Sequence, residues 1–145
     1  MPTLNMATRI ATAPLPRILP PTAHAVVDSL TTGAFLASAA WFWNRNRKAA
    51  VASLLCGGAA LAVNLFTDYR DNGRKLISLR THRHLDFGLA AATALMPELL
   101  LFDQEAEKRF FVVQGAVMTA ANQITRFPKR PERTEKRSFG RRYAA

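Results

Sequence analysis

Residues 49–66, AAVASLLCGGAALAVNLF, contain no charged side chain and no polar stripe along one helical face. A surface helix of a soluble protein keeps a polar face toward water, whereas a helix in lipid is apolar on nearly every side. At 1.5 Å per residue, a helix of this length approaches the thickness of a bilayer hydrocarbon core, about 30 Å. The stretch therefore predicts a membrane-spanning helix.

Three further apolar stretches lie at about residues 26–43, 85–102 and 110–124. Each is slightly short or contains a polar residue, so length alone leaves a soluble four-helix bundle as the alternative. Four helices this apolar would, however, leave a soluble chain of 145 residues without a polar surface. The sequence predicts an all-α, four-helix transmembrane bundle.

The chain resembles itself at a shift of 58 residues. Seven identities fall within 48 aligned positions: His24 and His82, Asp28 and Asp86, Ala34 and Ala92, Gly57 and Gly115, Ala62 and Ala120, Asn64 and Asn122, and Thr67 and Thr125. Polar residues inside apolar stretches are few, so their coincidence predicts an internal duplication with repeat 1 at 22–69 and repeat 2 at 80–127. A repeat of two helices enters the bilayer twice in the same orientation. We therefore expect two tandem helical hairpins related by a pseudo-two-fold axis along the membrane normal.

The two ends of the chain differ from the middle. Residues 1–21 lack the continuous apolar region of a secretory signal and contain several prolines, which predicts a flexible extended arm. Residues 128–145 are basic and poor in core-forming residues, which predicts a disordered tail that contacts anionic lipid headgroups. Nucleic-acid binding is unlikely, because the tail lacks interleaved aromatic residues for base stacking.

Positive charges set the orientation. Fifteen of the 20 Lys and Arg residues lie in the N-terminal arm, the central loop and the tail, and five lie in the two other loops. Because cytoplasmic segments collect Lys and Arg, both termini are expected in the cytoplasm. Trp41 and Trp43 suit the opposite interface, where aromatic residues concentrate.

The repeated polar residues predict a layer at the cytoplasmic end of the bundle. His and Asp are spaced i to i+4 at the start of the first and third helices, which puts each pair on one helical face. An Asn closes the second and fourth helices. The predicted layer comprises His24, Asp28, Asn64, His82, Asp86 and Asn122.

Two interpretations of this layer differ in chemistry. The favoured one is a hairpin clamp that needs no cofactor, since interhelical hydrogen bonds in membranes contribute about 0.6–2 kcal/mol each. The alternative is binding, because ionisable groups at membrane depth often mark ion, proton or ligand sites. Two His and two Asp would suit Zn²⁺ or another divalent first-row metal, and the histidines could instead ligate haem or relay protons.

Other features carry less functional information. Cys56 lies mid-helix and is expected to be a small packing residue. Pro97 should kink the third helix, and Glu98 beside it should point toward the following loop or into the bundle. The chain has no Walker loop, Gly-x-Ser-x-Gly elbow or HExxH motif, which argues against an enzyme.

The chain resembles the SPW-repeat family of small bacterial membrane proteins over about residues 22–127. Both halves open on His-x-x-x-Asp, and the family's Ser-Pro-Trp is represented by Ser38-Ala-Ala-Trp41 and by Met96-Pro97-Glu98. The resemblance implies a four-span bundle in a bacterial inner membrane and assigns no activity. We therefore expect a small integral membrane protein, without catalysis, that acts in the lipid bilayer by associating with itself or with another membrane protein.

Overall fold

The computed structural model describes residues 16–70, 72–102 and 105–127. Four helices follow one another: α1 Pro21–Phe42, α2 Arg47–Phe66, α3 Leu79–Leu99 and α4 Glu105–Ile124. They pack mainly as two hairpins, α1 with α2 and α3 with α4, and smaller interfaces join α1 to α4 and α2 to α3. The predicted all-α bundle of two tandem hairpins is confirmed. Residues 1–15 of the predicted arm and the predicted tail at 128–145 lie outside the described residues.

The helices begin earlier than the apolar stretches from which they were predicted. Asn46 caps α2 by accepting a hydrogen bond from the backbone N–H of Ala49 at 3.1 Å, and Ser78 caps α3 by accepting from that of Thr81 at 3.2 Å. Such caps satisfy backbone donors that the first helical turn leaves unpaired. Because a cap rather than the first apolar residue sets the start, α3 and α4 include charged first turns.

Membrane-length helices are fewer than predicted. Among the described residues, α1 and α2 are long and apolar enough to cross a membrane, whereas α3 and α4 do not meet the same criterion. The charged first turns of α3 and α4 shorten their apolar parts below the roughly 20 residues that a span requires. Only two of the four predicted spans are therefore supported by length and composition.

Short parallel pairings tie the two hairpins together at one end of the bundle. β1, Thr67–Asp68, pairs with β2, Ile77–Ser78, in the register Thr67 to Ile77. An isolated parallel bridge joins Leu19 to Thr125. Both partners of this bridge are displaced by 58 residues from those of the first pairing, so the end of each hairpin contacts the start of the other in the same way. The sequence had not predicted these strands.

The repeated glycines lie where helices approach closely. A Cβ on Gly57 would lie 3.0 Å from the Cβ of Phe35 in α1, and a Cβ on Gly115 would lie 2.9 Å from the carbonyl oxygen of Ala90 in α3. Small residues permit such approach. The two positions are equivalent crossing points, as the repeat predicts.

The remaining predictions for single residues come out as follows. Cys56 is buried in the apolar core, as expected of a packing residue. Pro97 lies in the last turn of α3, which ends two residues later at Leu99. Glu98 is exposed and its carboxylate lies 2.9 Å from the ammonium of Lys108, on the loop side of the helix end.

Candidate metal centre

Four ionisable side chains from the two hairpins meet inside one end of the bundle. His24 and Asp28 come from the first turns of α1, and His82 and Asp86 come from the first turns of α3. Both histidines and Asp86 are buried, and the Asp28 side chain is 14% exposed. One donor atom from each residue lies within 4.8 Å of the other three. The i to i+4 spacing and the repeat therefore bring together four of the six residues of the predicted layer.

The donor atoms are closely spaced. The Nε2 atoms of His24 and His82 are 3.2 Å apart. Oδ2 of Asp28 lies 3.2 Å from Nε2 of His82 and 3.5 Å from Nε2 of His24. Oδ2 of Asp86 lies 3.4 Å from Nε2 of His24. The cluster is thus a compact set of two nitrogen and two oxygen donors.

Threonines at the helix ends orient the two histidines reciprocally. Thr125, which ends the second hairpin, contacts Nδ1 of His24 in the first at 2.8 Å. Thr67, which ends the first hairpin, contacts Nδ1 of His82 in the second at 2.9 Å. Each hydroxyl also donates to a backbone carbonyl four residues earlier, at 2.6 Å. Each histidine is therefore held by a residue of the opposite hairpin.

These hydrogen bonds define the protonation of the imidazoles. A carbonyl oxygen only accepts, so each threonine uses its single hydrogen there and must accept a hydrogen bond from Nδ1–H. With the proton on Nδ1, a neutral imidazole carries a lone pair on Nε2. The lone pairs of His24 and His82 consequently face each other at 3.2 Å, beside two carboxylates. Such an arrangement attracts a cation, either a metal ion or a proton on one Nε2.

The chain matches no protein-family model, no curated protein and no solved structure. The resemblance to the SPW-repeat family accordingly stays a prediction. The chemistry of the cluster follows from its own atoms.

Tyr69 distinguishes the two aspartates. Its hydroxyl donates to Oδ2 of Asp28 at 2.5 Å. Burial, followed by this hydrogen bond and the nearby carboxylate charge, raises the pKa of Tyr69, so the hydroxyl stays a proton donor. The residue displaced by 58 positions is Phe127, which has no hydroxyl to offer Asp86. Asp28 therefore has a second donor that Asp86 lacks on this side of the cluster.

Aromatic rings cover both histidines. The ring of Tyr69 lies edge-on to His82 with centroids 5.3 Å apart, and the ring of Phe127 lies edge-on to His24 at 5.9 Å. This pair was missed in the sequence because the two residues are similar rather than identical. A search for aromatic matches at the repeat distance would have found it.

Asn64 and Asn122 do not join the donor set. The Asn64 amide donates to the hydroxyl of Ser29 in α1 at 3.1 Å, and the Asn122 amide donates to the carbonyl of Arg83 in α3 at 2.8 Å. Each asparagine therefore links the two helices of its own hairpin. Their inclusion in the predicted polar layer was correct for depth and is corrected for direction, because they face a neighbouring helix.

The predicted haem interpretation meets a geometric obstacle. Two imidazoles that ligate one haem iron lie on opposite faces of the porphyrin. A separation of 3.2 Å between the Nε2 atoms leaves no room for the ring between His24 and His82. A single ion is the ligand whose size suits the space.

Proposed function

We propose that the protein binds one divalent first-row transition-metal ion, such as Zn²⁺, between its two hairpins. The ligands are His24, Asp28, His82 and Asp86. The observation that carries this proposal is the spacing of the donor atoms. Zinc bonds to His nitrogen and carboxylate oxygen of about 2.0–2.1 Å in a tetrahedron correspond to donor separations of about 3.3–3.4 Å. The four closest separations, 3.2, 3.2, 3.4 and 3.5 Å, lie around that value.

The orientation of the histidines also supports metal binding. Metal-ligating His commonly donates its other ring N–H to an oxygen acceptor, which fixes the tautomer and the ring direction. Thr125 and Thr67 provide that acceptor for His24 and His82.

A structural role fits this ligand set better than catalysis. Catalytic zinc sites keep one position for water or substrate, whereas structural sites use four protein ligands. Here four protein donors converge, two from each hairpin. The ion would act as the hairpin clamp expected from the sequence, with a metal in place of direct hydrogen bonds, in a protein without catalysis.

A bacterial inner-membrane location for all four helices is part of the proposal. Each helix carries large apolar side chains on its outer surface, as Leu30 at 69%, Leu55 at 55%, Leu95 at 55% and Val113 at 58% exposure illustrate. Apolar surface on this scale marks contact with lipid or with another protein. The polar cluster lies inside, as expected when lipid surrounds the bundle. Positive charge places both termini in the cytoplasm.

Tandem duplication explains the reciprocal contacts. Thr67 contacts His82 as Thr125 contacts His24, and their hydroxyls donate to Val63 and Ala121, which are also 58 residues apart. These matched contacts support a pseudo-two-fold axis through the cluster, along the membrane normal.

Metal analysis of protein purified in detergent tests the proposed function. We expect about one zinc or other first-row ion per wild-type chain after removal of loosely bound metal. His24→Ala and His82→Ala should each lose it, because three remaining donors cannot close the tetrahedron. His84→Ala is the matched control, since His84 is exposed and lies on the same helix as His82.

Reloading guards against loss of metal during purification. Zinc added to the metal-free wild type should raise its unfolding free energy by about 2.7 kcal/mol at a free concentration 100 times the dissociation constant. The proposal is wrong if the wild type neither contains metal nor is stabilised by zinc, nickel, cobalt, iron or manganese. It is also wrong if the His84 variant loses metal to the same extent as the His24 variant.

A further inference from the structure

A basic cleft opens at the same end of the bundle, between the start of α1 and the segment that joins α2 to α3. Its volume is about 440 Å³, within the range of about 300–1,000 Å³ typical of pockets for small organic ligands. The polar side chains that line it include Thr22, Asp68, Arg70, Asn72, Arg74 and Lys75.

Positive charge dominates this basic cleft. Arg70, Arg74 and Lys75 are exposed, and none of them forms an ion pair with a carboxylate at positions 16–70, 72–102 or 105–127. The segment also contains Asp71, which lies outside the described residues. Three cations thus converge on one small opening.

Buried Asp68 shapes the segment that carries these cations. Its two carboxylate oxygens accept hydrogen bonds from the backbone N–H groups of Arg70 and Arg74, each at 3.2 Å. Gly73 between them has a φ of +70°, a left-handed conformation that glycine adopts without strain. The negative charge of Asp68 is therefore occupied with the backbone, while the cationic side chains remain available at the cleft.

We propose that the basic cleft binds the phosphate group of an organic phosphate, supplied by a lipid headgroup or by a soluble phosphoester. Arg and Lys form strong charge-assisted hydrogen bonds with phosphate oxygens. The Thr22 hydroxyl and the Asn72 amide add neutral donors at the same opening. Basic pockets on the cytoplasmic side of membrane proteins bind anionic headgroups in the same way.

The basic cleft is not a by-product of the duplication. The residue displaced by 58 positions from Asp68 is Arg126, whose side chain donates instead to the carbonyl of Arg17 at 2.6 Å. The second repeat accordingly lacks the carboxylate that folds this segment, so the cleft belongs to the first repeat.

Two measurements on the full chain in neutral detergent distinguish the two sources of phosphate. Native mass spectrometry compares adducts of phosphatidylglycerol with those of phosphatidylcholine, and calorimetric titration with inorganic phosphate and glycerol 3-phosphate measures soluble ligands. Binding in either measurement supports the proposal, and the one that responds identifies the source. The double variant Arg74→Gln with Lys75→Gln should weaken that binding at least ten-fold.

Matched variants separate a specific site from general attraction of anions. Arg80→Gln removes an exposed cation that does not line the cleft and should leave binding within two-fold of wild type. His24→Ala removes a proposed metal ligand and should also retain phosphate binding, so failure of one proposal leaves the other standing. The inference is overturned if neither measurement detects binding, or if the Arg80 variant and the double variant lose binding equally.

Discussion

Replacing Thr125 with valine removes one hydroxyl and nearly preserves the side-chain shape. The hydroxyl lies 2.8 Å from Nδ1 of His24 and fixes the proton there, so that Nε2 faces the proposed metal. Without it, the proton can move to Nε2 and block the ligand atom. Loss of such an outer hydrogen bond typically lowers metal affinity 10–100-fold, which corresponds to about 1.4–2.7 kcal/mol. Thr67→Val should act equally on His82.

Zinc affinity is measured by competition with a chromophoric chelator in detergent, and thermal unfolding checks that each variant is folded. Thr119→Val is a close control, because the Thr119 hydroxyl also donates to a carbonyl four residues earlier, that of Gly115 at 2.8 Å, without contacting a histidine. Its zinc affinity should stay within two-fold of wild type. Equal losses for Thr119→Val and Thr125→Val, or no loss for Thr125→Val, would refute the reasoning.

Two further substitutions test the packing by thermal unfolding in the same detergent. Gly115→Ala places a Cβ 2.9 Å from the carbonyl oxygen of Ala90 and should lower the unfolding free energy by about 1–3 kcal/mol. Gly88→Ala meets no atom within 4 Å and should raise it by up to about 1 kcal/mol, so equal melting temperatures for the two variants would contradict the close helix approach. Thr32→Val removes a buried hydroxyl that has no partner among the described residues, and should stabilise the protein by about 1–3 kcal/mol; a lower melting temperature would count against this.

The sequence predicted the bundle well because its strongest signals were long-range and repeated. The coincidence of His and Asp at a 58-residue shift was enough to place His24 near His82, since equivalent helix starts lie at the same end of a parallel repeat. It was not enough to predict the helix boundaries. Ser78 begins α3 several residues before the apolar stretch, because a capping side chain needs no apolar neighbour.

The direction in which side chains face was harder to predict than their depth. Asn64 lies at the expected end of α2, yet it contacts Ser29 rather than the donor cluster. Which way a residue faces depends on the rotation of each helix about its axis, and the apolar surface here gives no polar stripe to define that rotation. Tyr69 was missed for another reason, since it lies beyond the helix and reaches Asp28 through a turn.

The reciprocal placement of Thr67 and Thr125 makes the metal and the assembled bundle depend on each other. Neither hairpin contains both a histidine and the hydroxyl that orients it. An ion in the centre would join chain segments about a hundred residues apart and would hold the two pairs of helices side by side. Cells starved of that ion would then accumulate separated halves open to membrane proteases, so the amount of intact protein would follow the supply of metal.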